Sequence, residues 1–325
     1  MKISIAEGNK DTTSFSIPTT TRSTTINRGN LSTIHHTQAS PYLNRVLREQ
    51  SIADNSVVEC VRLTGNRIIM ATADRVWVRS SVDDNNFLSR SPTGNTKSVE
   101  ITKKLLDTAI ILGKRAASVE RQLPALNLTN WIWSLISQYH LTHPTPQLMR
   151  EAARRFKAQS RKQLVEWANE KAIEETGHDK LALLDIKSLG YEAQALVNTF
   201  MPSSAKVLVD YFIRSVQTTD PIKAVGYAYT LERIALAVKE KHIRAIEAII
   251  PSGINATRCL RVHSSIGSDV EHVEEALEMI AQLSSAERNL ISLACYETAK
   301  LYFSTRKDNY LSTTELKHKL QPFKH

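Results

Sequence analysis

Cysteine, aromatic residues and long apolar runs are all scarce in this chain, and each scarcity removes a class of protein. Cys60, Cys259 and Cys295 are an odd number with no paired spacing, which argues against a disulfide framework and for a reducing compartment. No apolar run approaches the ~18 residues that cross a bilayer, and the opening Met1-Lys2-Ile3-Ser4 has no apolar signal region. A cytoplasmic chain without a membrane partner is therefore expected. Aromatics are only 6% of residues, and the net charge of +9 comes with no RNA-binding signature, zinc-finger spacing or concentrated basic helix. Basic residues are interspersed with acids, as in Arg150-Glu151 and Lys239-Glu240-Lys241, so the charge reads as solvated surface. No nucleic-acid partner follows from it, although an acidic substrate or carrier protein is compatible. A glycine-rich phosphate loop, a nucleophile elbow and an internal repeat are also missing.

What remains is a chain of 325 residues with 42% hydrophobic content, enough for one large helical domain and an appendage. Residues 1–45 are rich in Ser, Thr and Asn and include His35-His36; such a stretch lacks the apolar surface to offset its ordering entropy, and a disordered tail is expected. Residues 46–96 carry strand-like runs, Val57–Leu63 and Arg67–Thr72 around Thr64-Gly65-Asn66, then Val76-Trp77-Val78. These predict a small β-hairpin flap and a polar linker. From 97 to 310 the apolar spacing is helical almost throughout. Helices are expected from Val99 to about Leu123, through Trp131 and Trp133, as one long element over 146–176, and over 178–189, 204–217, 221–249, 256–282 and 285–304. Ser284-Ser285-Ala286-Glu287 is a capping box. Residues 311–325 read as a C-terminal tail.

Within the helical region, Glu175-Thr176-Gly177-His178 and Asp269-Val270-Glu271-His272 each place a carboxylate and an imidazole three residues apart. On one helix, i and i+3 share a face, so each pair can address a single object. Glu232 adds one acid in the largely apolar run Gly226–Ala237, where a carboxylate is costly unless paired, protonated or metal-bound; a surface stripe with Arg233 is the plainer alternative. Two such pairs plus an inward glutamate are how helical bundles hold non-haem iron or manganese. His263 points about 120° away from Asp269 on a regular helix, so it joins the cluster only through a break near Gly267. Otherwise it is a polar helix-start residue. Tyr229, one turn from Glu232, is the catalytic candidate; Trp131, Trp133, Tyr211, Phe212 and Tyr227 read as packing, and His140 and His143 as structural.

The run Glu175–Gly190, with Pro221…Gly226…Leu231-Glu232 and Leu260-Arg261-Val262-His263…Asp269-Val270-Glu271-His272-Val273, resembles haem-oxygenase-like iron-containing redox enzymes. The resemblance covers roughly residues 125–305. It implies a mainly α, up-and-down bundle of about seven helices with a buried di-iron centre. Glu175 and His178, Glu232, and Asp269 and His272 fall on the family's ligands. The family's remaining histidine falls on Ser265, so either His263 substitutes through a distorted helix or one iron loses a ligand.

The expected activity is that of an O2-dependent oxidase or oxygenase using two Fe(II) ions, with Mn as the substitute, on a small metabolite such as an amino acid or fatty acid. O2 and that small molecule are the expected partners, and a homodimer the expected assembly. A metal-free hydrolase or oxidase of the same fold, and a non-enzymatic binding scaffold, are the competing readings.

Overall fold

The computed structural model describes residues 58–80, 98–119, 122–264 and 269–325. The tail expected at 1–45 and most of the linker lie outside the described residues. Three strands, β1 (Glu59–Leu63), β2 (Arg67–Ala71) and β3 (Val76–Ser80), form an antiparallel sheet in that order. Leu63 pairs with Arg67 across the first turn, where Gly65 and Asn66 take left-handed backbone at φ 74° and 56°.

Helices follow in series: α1 (Val99–Arg115), α2 (Leu128–Thr142), α3 (Thr145–Ala158), α4 (Lys162–Glu174), α5 (His178–Ser188), α6 (Ala193–Thr199) and α7 (Ser203–Gln217). Then come α8 (Ile222–Ala235), α9 (Glu240–Glu247), α10 (Arg258–Val262), α11 (Asp269–Gln282), α12 (Ser285–Phe303) and α13 (Thr313–Leu320). The fold is thus mainly α with a small sheet, and no described helix is long and apolar enough to cross a membrane.

Several expected boundaries move. The single helix over 146–176 is two, because Ser160 adopts φ 58°. A left-handed residue ends a helix as glycine usually does, and a serine does not advertise that conformation. The span 221–249 is likewise split between α8 and α9, and 256–282 between α10 and α11. Residues 311–325 are not a loose tail: Ser312 and Glu315 form a capping box that starts α13, and Leu316 and Leu320 are buried. The expected box at Ser284 and Glu287 is present at the start of α12.

The small sheet packs on the bundle. Val61, Leu63, Ile69 and Ala71 are buried in the same core as α1, α3, α4, α7, α8, α11 and α12. Glu59 on β1 receives two hydrogen bonds from Arg288 on α12, at 2.7 and 3.1 Å. Both residues are buried, so the strand is joined to the bundle by a desolvated ion pair. A second core gathers α2, α5, α6, α9, α10 and the end of α13.

Close approach fixes the position of α8. A Cβ on Gly226 would collide with the Ile291 carbonyl and lie 2.7 Å from the Ala294 Cβ, both on α12. Backbone cannot yield as a flexible side chain can, so Gly226→Ala should destabilise the protein by about 1–3 kcal/mol or more. A urea midpoint equal to that of the native chain would show that α8 and α12 can separate without cost.

Candidate metal centre

Glu175 and His178 do not share a helix, contrary to the i, i+3 reading. Glu175 caps the end of α4, His178 opens α5, and Gly177 between them has φ 94°. The turn nevertheless brings Glu175 Oε2 to 3.2 Å from His178 Nδ1. A Cβ at Gly177 would touch nothing within 4 Å, so only backbone strain opposes substitution. Gly177→Ala should therefore cost about 1–2 kcal/mol, the usual penalty for a left-handed alanine, read as a lower thermal midpoint; an unchanged midpoint would mean that the turn relaxes freely.

His263 completes the group. Helix α10 stops at Val262, and His263 leaves the helix with φ −93° and ψ 39°. Its ring meets that of His178 edge-on, with centroids 4.7 Å apart. One ligand atom from each of Glu175, His178 and His263 lies within 4.8 Å of the others. The break needed to turn His263 inward thus begins at His263 itself. Residues 265–268, including Ser265 and Gly267, lie outside the described residues.

What holds α10 in place is Asp185 on α5, fully buried. Its carboxylate accepts from the Cys259 backbone N–H at 3.1 Å and from Arg258 at 2.9 Å. The first turn of a helix has unsatisfied N–H groups, so this contact fastens the helix that delivers His263. Burial raises the Asp185 carboxyl, and the Cys259 N–H and Arg258 oppose that rise. For Glu175 the balance is the other way. Burial would raise it, but the hydrogen bond from His178 and the charges of His263, His178 and Lys171 hold it below the usual carboxylate range.

The other expected ligands are held elsewhere. Glu232 is buried and lies 2.7 Å from Lys171 Nζ, which is also 2.6 Å from Glu174 Oε2. Glu174 Oε1 in turn is 3.3 Å from His272 Nε2. His272 therefore meets Glu174 rather than the Glu175 group. The side chain of Asp269 lies outside what is described. Burial would lower the Lys171 ammonium, yet Glu232 and Glu174 reverse this and raise it, so the lysine is a fixed internal cation.

Beside these groups is a cavity of about 140 Å³, lined by Lys171, Glu175, Glu232 and His263 among polar residues and by apolar residues such as Phe212 and Leu231. Tyr227 also lines it. Its hydroxyl is buried without a hydrogen-bond partner among the described residues, and burial together with the nearby Glu175 charge raises its pKa.

Tyr229, the catalytic candidate, is not among the lining residues. It points to α1, with its hydroxyl 3.4 Å from Asp107, which also receives two hydrogen bonds from Arg233 at 2.9 Å. At about 100° per residue, Tyr229 and Arg233 fall on one side of Glu232, and Ala228, Leu231 and Ala235 on the other. The cavity takes the second side. The alternative surface stripe of Glu232 with Arg233 is not what forms, since Glu232 is 8% exposed.

Lys171, Glu174, Asp185 and Tyr227 were missed as functional residues. Lys171 had a signal: it falls at i+4 from Trp167 and i+7 from Leu164, both core positions of α4, and a cation on an apolar face demands partners. Asp185 had none, because its partner is a distant helix N-terminus.

No family model matches the chain, and no curated protein does. Among solved structures, the chain is similar to a crystal structure from Shewanella denitrificans OS217, described as a domain of unknown function with a heme oxygenase-like fold. Identity is 18% and the TM-score 0.46, over 74% of this chain and 95% of that one. A likeness of this degree carries no functional assignment.

Proposed function

We propose that this chain is an O2-dependent non-haem iron oxidase or oxygenase acting on a small metabolite, with Glu175, His178 and His263 as metal ligands. The observation that carries this reading is two imidazoles and one carboxylate gathered together, with Glu175 and His263 of that group also lining a mostly apolar cavity. The donor set suits the group. Two histidines and one carboxylate are the facial ligands of non-haem ferrous oxygenases and leave positions open. Metal bonds of about 2.1 Å put neighbouring donors roughly 3 Å apart, and Glu175 and His178 are at 3.2 Å.

A ferrous ion held there would supply the electrons that activate O2. The chain's own residues do the rest. Glu175, held in its ionised form, offers an anionic ligand without having to lose a proton first. Apolar residues such as Phe212 and Leu231 make most of the wall beside these ligands, and the Tyr227 hydroxyl can donate to an oxygen of the substrate. A cavity near 140 Å³ compares with the roughly 150 Å³ that accepts benzene, so the substrate is small or inserts only an apolar part.

A thiol-dependent, metal-free hydrolase is the second reading, since Cys259 also lines the cavity. The other thiols are poor nucleophiles: burial pushes Cys60 up to about 11 and Cys295 up to about 12. Anaerobic Fe(II) titration followed by O2 exposure separates the two. The iron reading expects stoichiometric Fe(II) and an optical transient on oxygenation; absence of bound iron, with activity abolished by a thiol reagent, would favour the hydrolase.

A further inference from the structure

We infer that Lys171 is a built-in cation standing where a second metal ion would bind, so that the centre takes one divalent ion and not two. This rests on the reading of Glu175, His178 and His263 as the metal ligands. Lys171 is 5% exposed, and its ammonium lies between two carboxylates, 2.7 Å from Glu232 and 2.6 Å from Glu174. Glu174 is itself against His272 at 3.3 Å. Two carboxylates and an imidazole are a donor set that suits Fe or Mn, but here the positive charge is already supplied from within the chain.

The position of the lysine is not incidental to packing. Lys171 lines the apolar cavity and also a second one lined by Glu166, Glu170, Glu174, His272 and Glu275. It is therefore a partition between the Glu175 group and an acidic mouth. A divalent ion bound to Glu232 would sit against an ammonium of like charge in a place with little water to screen it. The one-ion centre follows, with Glu232 held by lysine instead of by metal.

The test is metal stoichiometry of the full chain, loaded anaerobically with Fe(II) and, in parallel, Mn(II), then freed of excess by gel filtration. One ion per chain is expected for the native protein. Two ions would overturn the inference and leave the Glu175–His178–His263 reading standing. No ion would overturn that reading, and this inference with it. Glu232→Gln should still hold one ion per chain; loss of the ion would make Glu232 a ligand and refute the lysine's role. Lys171→Ala should admit a second ion, and continued binding of one would show that the lysine fills no metal position. Because Lys171→Ala leaves Glu232 without this buried partner and can impair folding, the native and Glu232→Gln measurements stand as independent arms.

Discussion

Glu59→Gln should lower the unfolding free energy by about 3–5 kcal/mol, because it leaves the Arg288 guanidinium buried without its counter-charge. Arg288 is 1% exposed and Glu59 4%. The guanidinium keeps hydrogen bonds to the carbonyls of Ala281 and Leu283 and to Ser285, which favours the lower end of that range. For a domain of this size the thermal midpoint should fall by roughly 10 °C. Replacing both partners by methionine is the informative companion. With no charge left to bury, the double variant should recover most of the lost stability, since an apolar pair of similar volume is often neutral or better. If Glu59→Gln melts within about 2 °C of the native chain, a shift worth under roughly 1 kcal/mol, the pair is wetter than its burial indicates and β1 is more loosely attached.

That experiment bears on how much of the fold was legible beforehand. The three strands were readable because alternation and Thr64-Gly65-Asn66 are local signals. Their incorporation into the core was not, since it depends on Arg288, more than two hundred residues away in sequence. Helix existence was likewise readable from apolar spacing, and helix ends were readable where caps are written in residue type, as at Ser284 and Glu287. Ends set by backbone conformation alone were lost: Ser160 at φ 58° divides α3 from α4 with no glycine or proline to mark it. The α13 segment was taken for a tail because only Leu316 and Leu320 of its eight residues are buried, too few to show a period.

The site divides in the same way. Glu175, His178 and His263 were all singled out from the sequence, though for the first pair the supporting geometry was wrong: a turn at Gly177 joins them, not a helical face. Glu232 was found because an acid in an apolar run is conspicuous, but its partner was not, since nothing local ties Lys171 to a residue on α8. Tyr229 and Tyr227 differ only in which side of α8 they occupy. That choice is made by where α12 and α1 pack, which a single helix cannot reveal.

The largest effect at the proposed centre should come from His263→Ala. If Glu175, His178 and His263 hold the metal, losing one imidazole removes a third of the protein's ligands, and Fe(II) affinity should fall by more than the roughly 10–100-fold that follows loss of a supporting contact. His178→Ala should do the same. His272→Ala should not, because that imidazole faces Glu174 at 3.3 Å and stands outside the group that gathers within 4.8 Å. The contrast between the two histidines on either side of the α10–α11 break is the discriminating result. Competition with a coloured Fe(II) chelator under anaerobic conditions would measure it, and far-UV circular dichroism would establish that each variant is folded. His263 follows a short helix anchored by Asp185, so its loss should leave the helices intact and act on the metal alone. Equal loss of iron from His263→Ala and His272→Ala would instead place α11 in the centre and require Lys171 to move aside on loading. Loss from His272→Ala alone would refute the three-residue assignment.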